Sequence, residues 1–285
     1  MRVLIGHDGS SYADAAMVDL ARAGLPKNVE AVVVTVGDAP LVAPFASHRI
    51  IEQTFVGERV LSIVEHANKQ AAEALSDARE IAQSAALKLG NYFPSWKVRS
   101  EAVAGRPADQ LIRMAAQLDV DLVVVGTHGR SALGRLILGS VSLEVLSHAA
   151  CSVRVGRGDG EGNLAGLRIL VGVDRTSDFD KLLGQSLHRS WPRHTELRVV
   201  TVADKGAAMT TSDPFSELFA GEVKVSAAVL KGDTPDVLIA EARRWEADCI
   251  VLGSRTIDDR TEGSLEGAVW PELLSSVECS LEIVR

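Results

Sequence analysis

The chain has 285 residues, 46% of them hydrophobic and 24% charged, with a formal net charge of −8. That length suits two domains of roughly 140 residues each, and the composition is that of a soluble globular protein able to bury a core without staples. The acidic balance argues against a nucleic-acid partner, and no run reaches the ~18 apolar residues of a membrane span.

Cys151, Cys249 and Cys279 form an odd set without a CxxC pair, so neither a disulfide framework nor a zinc site is expected. The opening stretch turns polar after three apolar residues, Val3, Leu4 and Ile5, too few for a signal-peptide core. The expected compartment is the cytoplasm.

Residues 3–5 read as the first strand, followed by a helix over 11–23 with a serine cap. A second strand falls at 31–36. A long alanine-rich helix spans 58–89, with Gly90 suited to its C-terminus. A strand at 97–103 leads to a helix over 107–117 with proline in its first turn, a strand at 122–125, a helix over 140–148 and a strand at 152–155. Several strands are continuous apolar runs, the mark of a sheet covered on both faces. Strands alternating with helices predict a parallel α/β sheet with right-handed crossovers. Such sheets bind ligands beyond the carboxyl ends of their strands, where the strand order reverses.

The chain states this pattern twice. Val3-Leu4-Ile5-Gly6-His7-Asp8 recurs as Ile169-Leu170-Val171-Gly172-Val173-Asp174, and Gly105-Arg-Pro-Ala-Asp-Gln-Leu-Ile as Gly232-Asp-Thr-Pro-Asp-Val-Leu-Ile. Asp119-Val-Asp-Leu-Val-Val-Val-Gly126 recurs as Glu246-Ala-Asp-Cys-Ile-Val-Leu-Gly253, and Cys151-Ser-Val-Arg-Val as Cys279-Ser-Leu-Glu-Ile. Two tandem doubly wound domains follow, over 1–157 and 166–285, joined by the glycine-rich polar stretch 156–166. That stretch has glycines at alternate positions but no helix after them in the right place, so it carries no dinucleotide fingerprint. Between the second and third strands the first copy has about 60 residues and the second about 19. A parallel crossover takes about a dozen or more. The second copy is therefore predicted to lack the long second helix, with room for one short helix near 214–219.

The stretch 121–142 reads Asp-Leu-Val-Val-Val-Gly126-Thr-His-Gly129-Arg-Ser-Ala-Leu-Gly-Arg-Leu-Ile-Leu-Gly139-Ser140-Val-Ser142. A buried strand ends in one glycine turn, and a second glycine turn with hydroxyls opens a helix. Bare N–H groups at both places suit an anion, and a Cβ would block close backbone approach. A phosphate-binding loop is the leading reading. Downstream, Gly253 is kept, but Thr256 replaces the second glycine and Glu266-Gly267-Ala268-Val269 lacks the serine. Asp258, Asp259, Glu262 and Glu266 crowd that loop and would repel phosphates. The motif thus reads as a ligand site on one copy.

The spacing Gly126-x2-Gly129-x9-Gly139-Ser140, with Asp8-Gly-Ser10 after the first strand, resembles the ATP-binding branch of the universal stress protein family in its tandem form, over essentially the whole chain. The resemblance implies a five-stranded parallel sheet in the order 3-2-1-4-5 in each domain, with domains pairing through strand five, here 152–155 and 280–284. It implies a stress-response protein acting as a nucleotide-dependent regulator or sensor, holding one ATP, with or without Mg2+, in the N-terminal domain. Carried over, Gly126, Gly129, Gly139 and Ser140 hold the phosphates, with Val141 and Ser142 close by. Asp8 takes the adenosine end, and backbone groups at Val36 read the adenine edge. His128 and Arg130 lie near the triphosphate. A carboxylate is a poor phosphate ligand but a good acceptor for ribose hydroxyls or an adenine amino group. Hydrogen bonds to charged acceptors contribute roughly 1.5–3 kcal/mol each, enough for micromolar binding after ordering costs.

Other readings stay open. Asp8 also suits a helix N-cap, and Ser140 and Ser142 suit caps of the fourth helix. His128 also suits a metal ligand or an acid/base, though no second histidine or paired carboxylate lies at ligand spacing. Arg130 and Arg135 suit either phosphate contacts or solvated surface, and His7 suits packing. A slow ATP hydrolase, or a binder of another adenine nucleotide such as a cyclic nucleotide, is the alternative function. A homodimer of chains is also open. A Rossmann dehydrogenase is disfavoured, because no Gly-x-Gly-x-x-Gly follows the first strand. Nucleotide-alpha hydrolases are disfavoured too, because Asp8-Gly-Ser-Ser stands where their Ser-Gly-Gly-x-Asp-Ser loop would be.

Overall fold

The structure, a computed structural model, describes residues 1–38, 58–128, 139–157, 166–173, 182, 184–186, 189–203, 223–253 and 269–285. The N-terminal half runs β1 (Arg2–Gly6), α1 (Ser11–Asp19), β2 (Glu30–Gly37), α2 (Glu58–Tyr92), β3 (Lys97–Ala104), α3 (Pro107–Gln117), β4 (Leu122–Gly126), α4 (Ser140–His148) and β5 (Ser152–Gly156). The C-terminal half runs β6 (Arg168–Val173), β7 (Glu196–Ala203), β8 (Lys224–Lys231), α5 (Thr234–Arg244), β9 (Cys249–Gly253), α6 (Trp270–Ser276) and β10 (Ser280–Val284). All ten strands join one sheet in the order β3-β2-β1-β4-β5-β10-β9-β6-β7-β8. Each half is parallel in the expected order 3-2-1-4-5, and the halves meet where β5 and β10 pair antiparallel.

The apolar runs are continuous because helices cover both faces. All of β4 is buried. Val3, Ile5, Val33 and Val124 face Met17 and Leu20 near α1 and Leu89 of α2. Leu4, Val34, Val123 and Val125 face the other way, onto Leu111 and Met114 of α3 and Val145 and Leu146 of α4. On that second face one core runs without a break past β5 and β10 to Trp270, Leu273 and Leu274 of α6. On the first face the C-terminal half has its own cluster around Ile169, Val171, Leu197 and Val251. Between the two clusters on that face lie buried charges: Asp19, Arg154 and Glu282.

Two element ends differ from expectation. The first helix is regular only to Asp19, then tightens into a 3-10 turn at Leu20–Arg22. The long helix does not stop at Gly90 but continues to Tyr92. Local contacts mark its exit: Phe93 N–H donates to Leu89 O at 2.9 Å, and the Phe93 ring stacks on Trp96 with centroids 4.1 Å apart. The segment 204–222, which decides whether the second half has a counterpart of α2, lies outside the described residues. Among the described residues no helix is long and apolar enough to cross a membrane.

Candidate functional site

The strand order reverses between β1 and β4, so the crevice at their carboxyl ends is the place to look for a ligand. After β1 the chain passes through His7, Asp8, Gly9 and Ser10 into α1. Gly9 takes a φ of +83°, which a side chain would disfavour. Ser10, not Asp8, is the N-cap of α1: its hydroxyl accepts the Ala13 N–H at 3.2 Å. Asp8 supports that cap from behind. Its Oδ1 accepts the Ser10 N–H at 3.0 Å and the Ser10 hydroxyl at 2.6 Å. The half-buried Asp8 carboxylate therefore orders the turn at the mouth of the crevice.

His7 is buried in the same turn. Its Nδ1 accepts the Gly9 N–H at 3.1 Å, which assigns the proton to Nε2, 3.1 Å from Asp14 Oδ1. Lys88 of α2 reaches the same carboxylate at 3.0 Å. Burial pulls the His7 pKa down although Asp14 opposes it, so the ring is neutral and able to accept. Burial raises the Asp14 pKa, but the Lys88 and His7 contacts outweigh it and hold the carboxyl below its ordinary value. His7 therefore belongs to the packing of the turn.

At the end of β4, Gly126, Thr127 and His128 are described; Gly129, Arg130 and Arg135 lie within 129–138, outside the described residues. The chain is described again from Gly139, the N-cap of α4. Two bonds tie the ends of this excursion together. Gly139 N–H donates to Thr127 O at 2.8 Å, and the buried Ser142 hydroxyl donates to Gly126 O at 2.6 Å. Neither Ser140 nor Ser142 caps α4, because no side chain satisfies that terminus. Among the described residues no group accepts from the N–H of Ser140, Val141 or Ser142. These are the orphan donors of the first turn, at the positive end of the helix dipole.

His128 follows Thr127 at the end of β4. Its Nδ1 is 2.9 Å from Thr127 Oγ1, and its ring packs on Tyr12 of α1 with centroids 4.8 Å apart. Among the described residues its buried Nε2 has no partner. Burial lowers its pKa, and the Arg157 guanidinium adds to the effect. Among the described residues no group of three His, Cys, Asp or Glu side chains is placed to hold a metal ion.

Val36 closes the third side. His7 N–H donates to Val34 O at 2.9 Å from the β1 side, and Gly105 N–H donates to Gly37 O at 3.0 Å from the β3 side. By alternation the Val36 N–H and C=O turn toward β1, past its last residue, Gly6. Asp8, Val36, Gly126 and His128 thus lie at the carboxyl ends of the neighbouring parallel strands β1, β2 and β4.

Gly126 has a structural reason of its own. A Cβ there would stand 2.8 Å from the Tyr12 carbonyl oxygen and 3.1 Å from the Ala13 nitrogen, both backbone. This glycine lets α1 lie on β4, a requirement that strand-end spacing alone does not reveal. Gly126→Ala is expected to cost about 1–3 kcal/mol of stability by overpacking, measurable as a lower midpoint in thermal melting. Sequence reasoning also missed Tyr12, Thr127, Asp14 and Lys88, whose roles depend on contacts between distant segments.

The universal stress protein family matches residues 1–157. A universal stress protein of Mycolicibacterium smegmatis is 24% identical over 302 aligned positions, covering 99% of this chain and 96% of that protein. One from Mycobacterium tuberculosis is 30% identical over 157 positions, 54% of this chain and 46% of that protein. Among solved structures, a universal stress protein from Archaeoglobus fulgidus superposes with a TM-score of 0.70 at 18% identity, covering 100% of this chain and 96% of that one, which establishes the shared fold. The family match, the full-length relative and the strand order agree, and the chain belongs to the universal stress protein family.

Proposed function

We propose that the N-terminal domain, 1–157, binds one ATP and that the protein acts as a cytoplasmic nucleotide-dependent regulator or sensor. The observation that carries this is the first turn of α4. Among the described residues nothing accepts from its N–H groups at Ser140, Val141 and Ser142, which open near the carboxyl end of β4, and nothing pairs with the buried His128 Nε2. The phosphates lie against Ser140, Val141 and Ser142, whose N–H groups need no desolvation of a competing side chain. Gly139 and the Ser142 hydroxyl act indirectly, since both are engaged in holding the loop. Gly126, Gly129 and Arg130 contribute from the loop that precedes α4. Asp8 and the Val36 backbone lie on the opposite side, where they suit the adenosine end. Mg2+ enters with the phosphates.

The second domain, 166–285, serves as a built-in partner without a nucleotide of its own. Its counterpart of α4 opens on Val269, Trp270 and Pro271. Trp270 is buried where a small residue would leave room, and Pro271 carries no N–H to offer. Isothermal titration with ATP is expected to give one site per chain, and mass spectrometry of nucleotide released from purified protein is expected to identify ATP. A stoichiometry near two, or a nucleotide-free protein with no heat on titration, would overturn the reading.

A further inference from the structure

The β5–β10 seam repeats itself about a local two-fold axis. The Arg157 N–H donates to Ser280 Oγ at 2.9 Å, and the Arg285 N–H donates to Ser152 Oγ at 3.2 Å. The Arg157 guanidinium donates to the Leu274 and Val277 carbonyls at the end of α6, and the Arg285 guanidinium to the Leu146 carbonyl near the end of α4 and the Cys151 carbonyl just before β5; Leu146 and Leu274 are equivalent places in the repeat, Cys151 and Val277 are not. Arg157 and Arg285 hold equivalent places in the repeated blocks that begin at Cys151 and Cys279, as do Ser152 and Ser280. This part of the seam is self-complementary. It fits a like half as well as an unlike one.

The residues on the axis break that symmetry. Arg154 and Glu282 also occupy equivalent places in the repeat, and they face each other in register. A two-fold pairing sets a residue against its own equivalent. Two N-terminal halves joined this way would oppose Arg154 to Arg154, and two C-terminal halves Glu282 to Glu282. In this chain the pair is complementary: Arg154 Nη1 donates to Glu282 at 3.0 Å, and both side chains are fully buried. Each half brings its own counter-charge, Asp19 bonded to Arg154 Nε at 2.7 Å and Arg189 bonded to Glu282. No water screens a like-charge pair at such a place.

We propose that Arg154 and Glu282 are the specificity determinant of this strand edge. They admit an edge of opposite buried charge, the other half of this chain or of a second copy, and reject edge-to-edge pairing of like halves. Exposed strand edges pair promiscuously unless guarded, and here the guard is a buried charge on the axis.

Full-length Arg154→Glu and Glu282→Arg, each made alone and then co-expressed with different tags, test this. Alone, each sets like charges against each other. The amides of Val153, Val155, Leu281 and Ile283 are expected to lose hydrogen-exchange protection about a hundredfold or more, while β1 and β2 stay protected. Co-expressed, Arg154 of the Glu282→Arg chain meets Glu282 of the Arg154→Glu chain. A 1:1 heterodimer is expected in native mass spectrometry, with protection restored to β5 of the first chain and β10 of the second. Seam amides that stay protected in either variant alone, or co-expressed chains that behave as they do apart, would sink the proposal and leave the pair as an ordinary core contact.

Discussion

Arg154→Met is expected to lower the unfolding free energy by about 3–5 kcal/mol. Arg154 is fully buried and donates to Asp19 at 2.7 Å, to Glu282 at 3.0 Å and to Cys249 Sγ at 3.3 Å. Methionine fills most of the volume but leaves both carboxylates in place. Glu282 keeps Arg189, whereas Asp19 is left without a partner among the described residues. The cost is the stranded carboxylate more than the lost attraction, so adding Asp19→Asn should recover part of it. Urea unfolding of the two variants and the parent measures this, and a single-variant cost below about 1 kcal/mol would contradict it. Burial raises the Glu282 pKa, but Arg189 and Arg154 outweigh it and hold the carboxyl below its ordinary value. Its contribution is thus fully present above the ordinary carboxylate range and is lost as pH falls through its folded value. The gap between parent and variant should narrow in acid.

Gly139→Asp is expected to weaken ATP binding at least about a hundredfold while stability holds or rises by a few tenths of a kcal/mol. The two signs separate because one place serves both roles. Gly139 is the N-cap of α4 with φ −65° and ψ 138°, a conformation open to aspartate. An aspartate there can accept from the α4 N–H groups that the phosphates would otherwise take, and its charge repels them. Ser140→Asp should do the same through charge alone. Titration calorimetry with parallel thermal melting reads both effects. Loss of fold together with binding would show that the position is structural, and unchanged affinity would remove α4 from the site.

The apolar runs of β1, β2 and β4 announced a doubly covered parallel sheet, since burial on both faces erases the alternation of a half-exposed strand. The repeated blocks announced that the fold occurs twice, and the observed strand orders match. The placement of Asp8, Gly126, Gly139 and Ser140 at strand ends and a helix start was legible because those positions follow from chain order alone.

Partners across the chain were not legible. A serine cap was expected for α1 with Asp8 as an alternative, and the turn puts the Ser10 hydroxyl on Ala13 and the Asp8 carboxylate behind it. Ser142 was expected close to the phosphates or as a helix cap, and that its hydroxyl donates to the Gly126 carbonyl could not be read from the chain order. Arg154 and Glu282 were visible as two letters in matching blocks, but only strand register makes them opposites on one axis. What the sequence by itself determined is thus the set of local preferences: strand, helix, turn and their order, each written in a few neighbouring residues. Which donors stay unpaired, which glycine a helix presses against and which buried charges meet were decided by the tertiary structure. Those outcomes depend on distances between segments far apart in the chain, which no local pattern encodes.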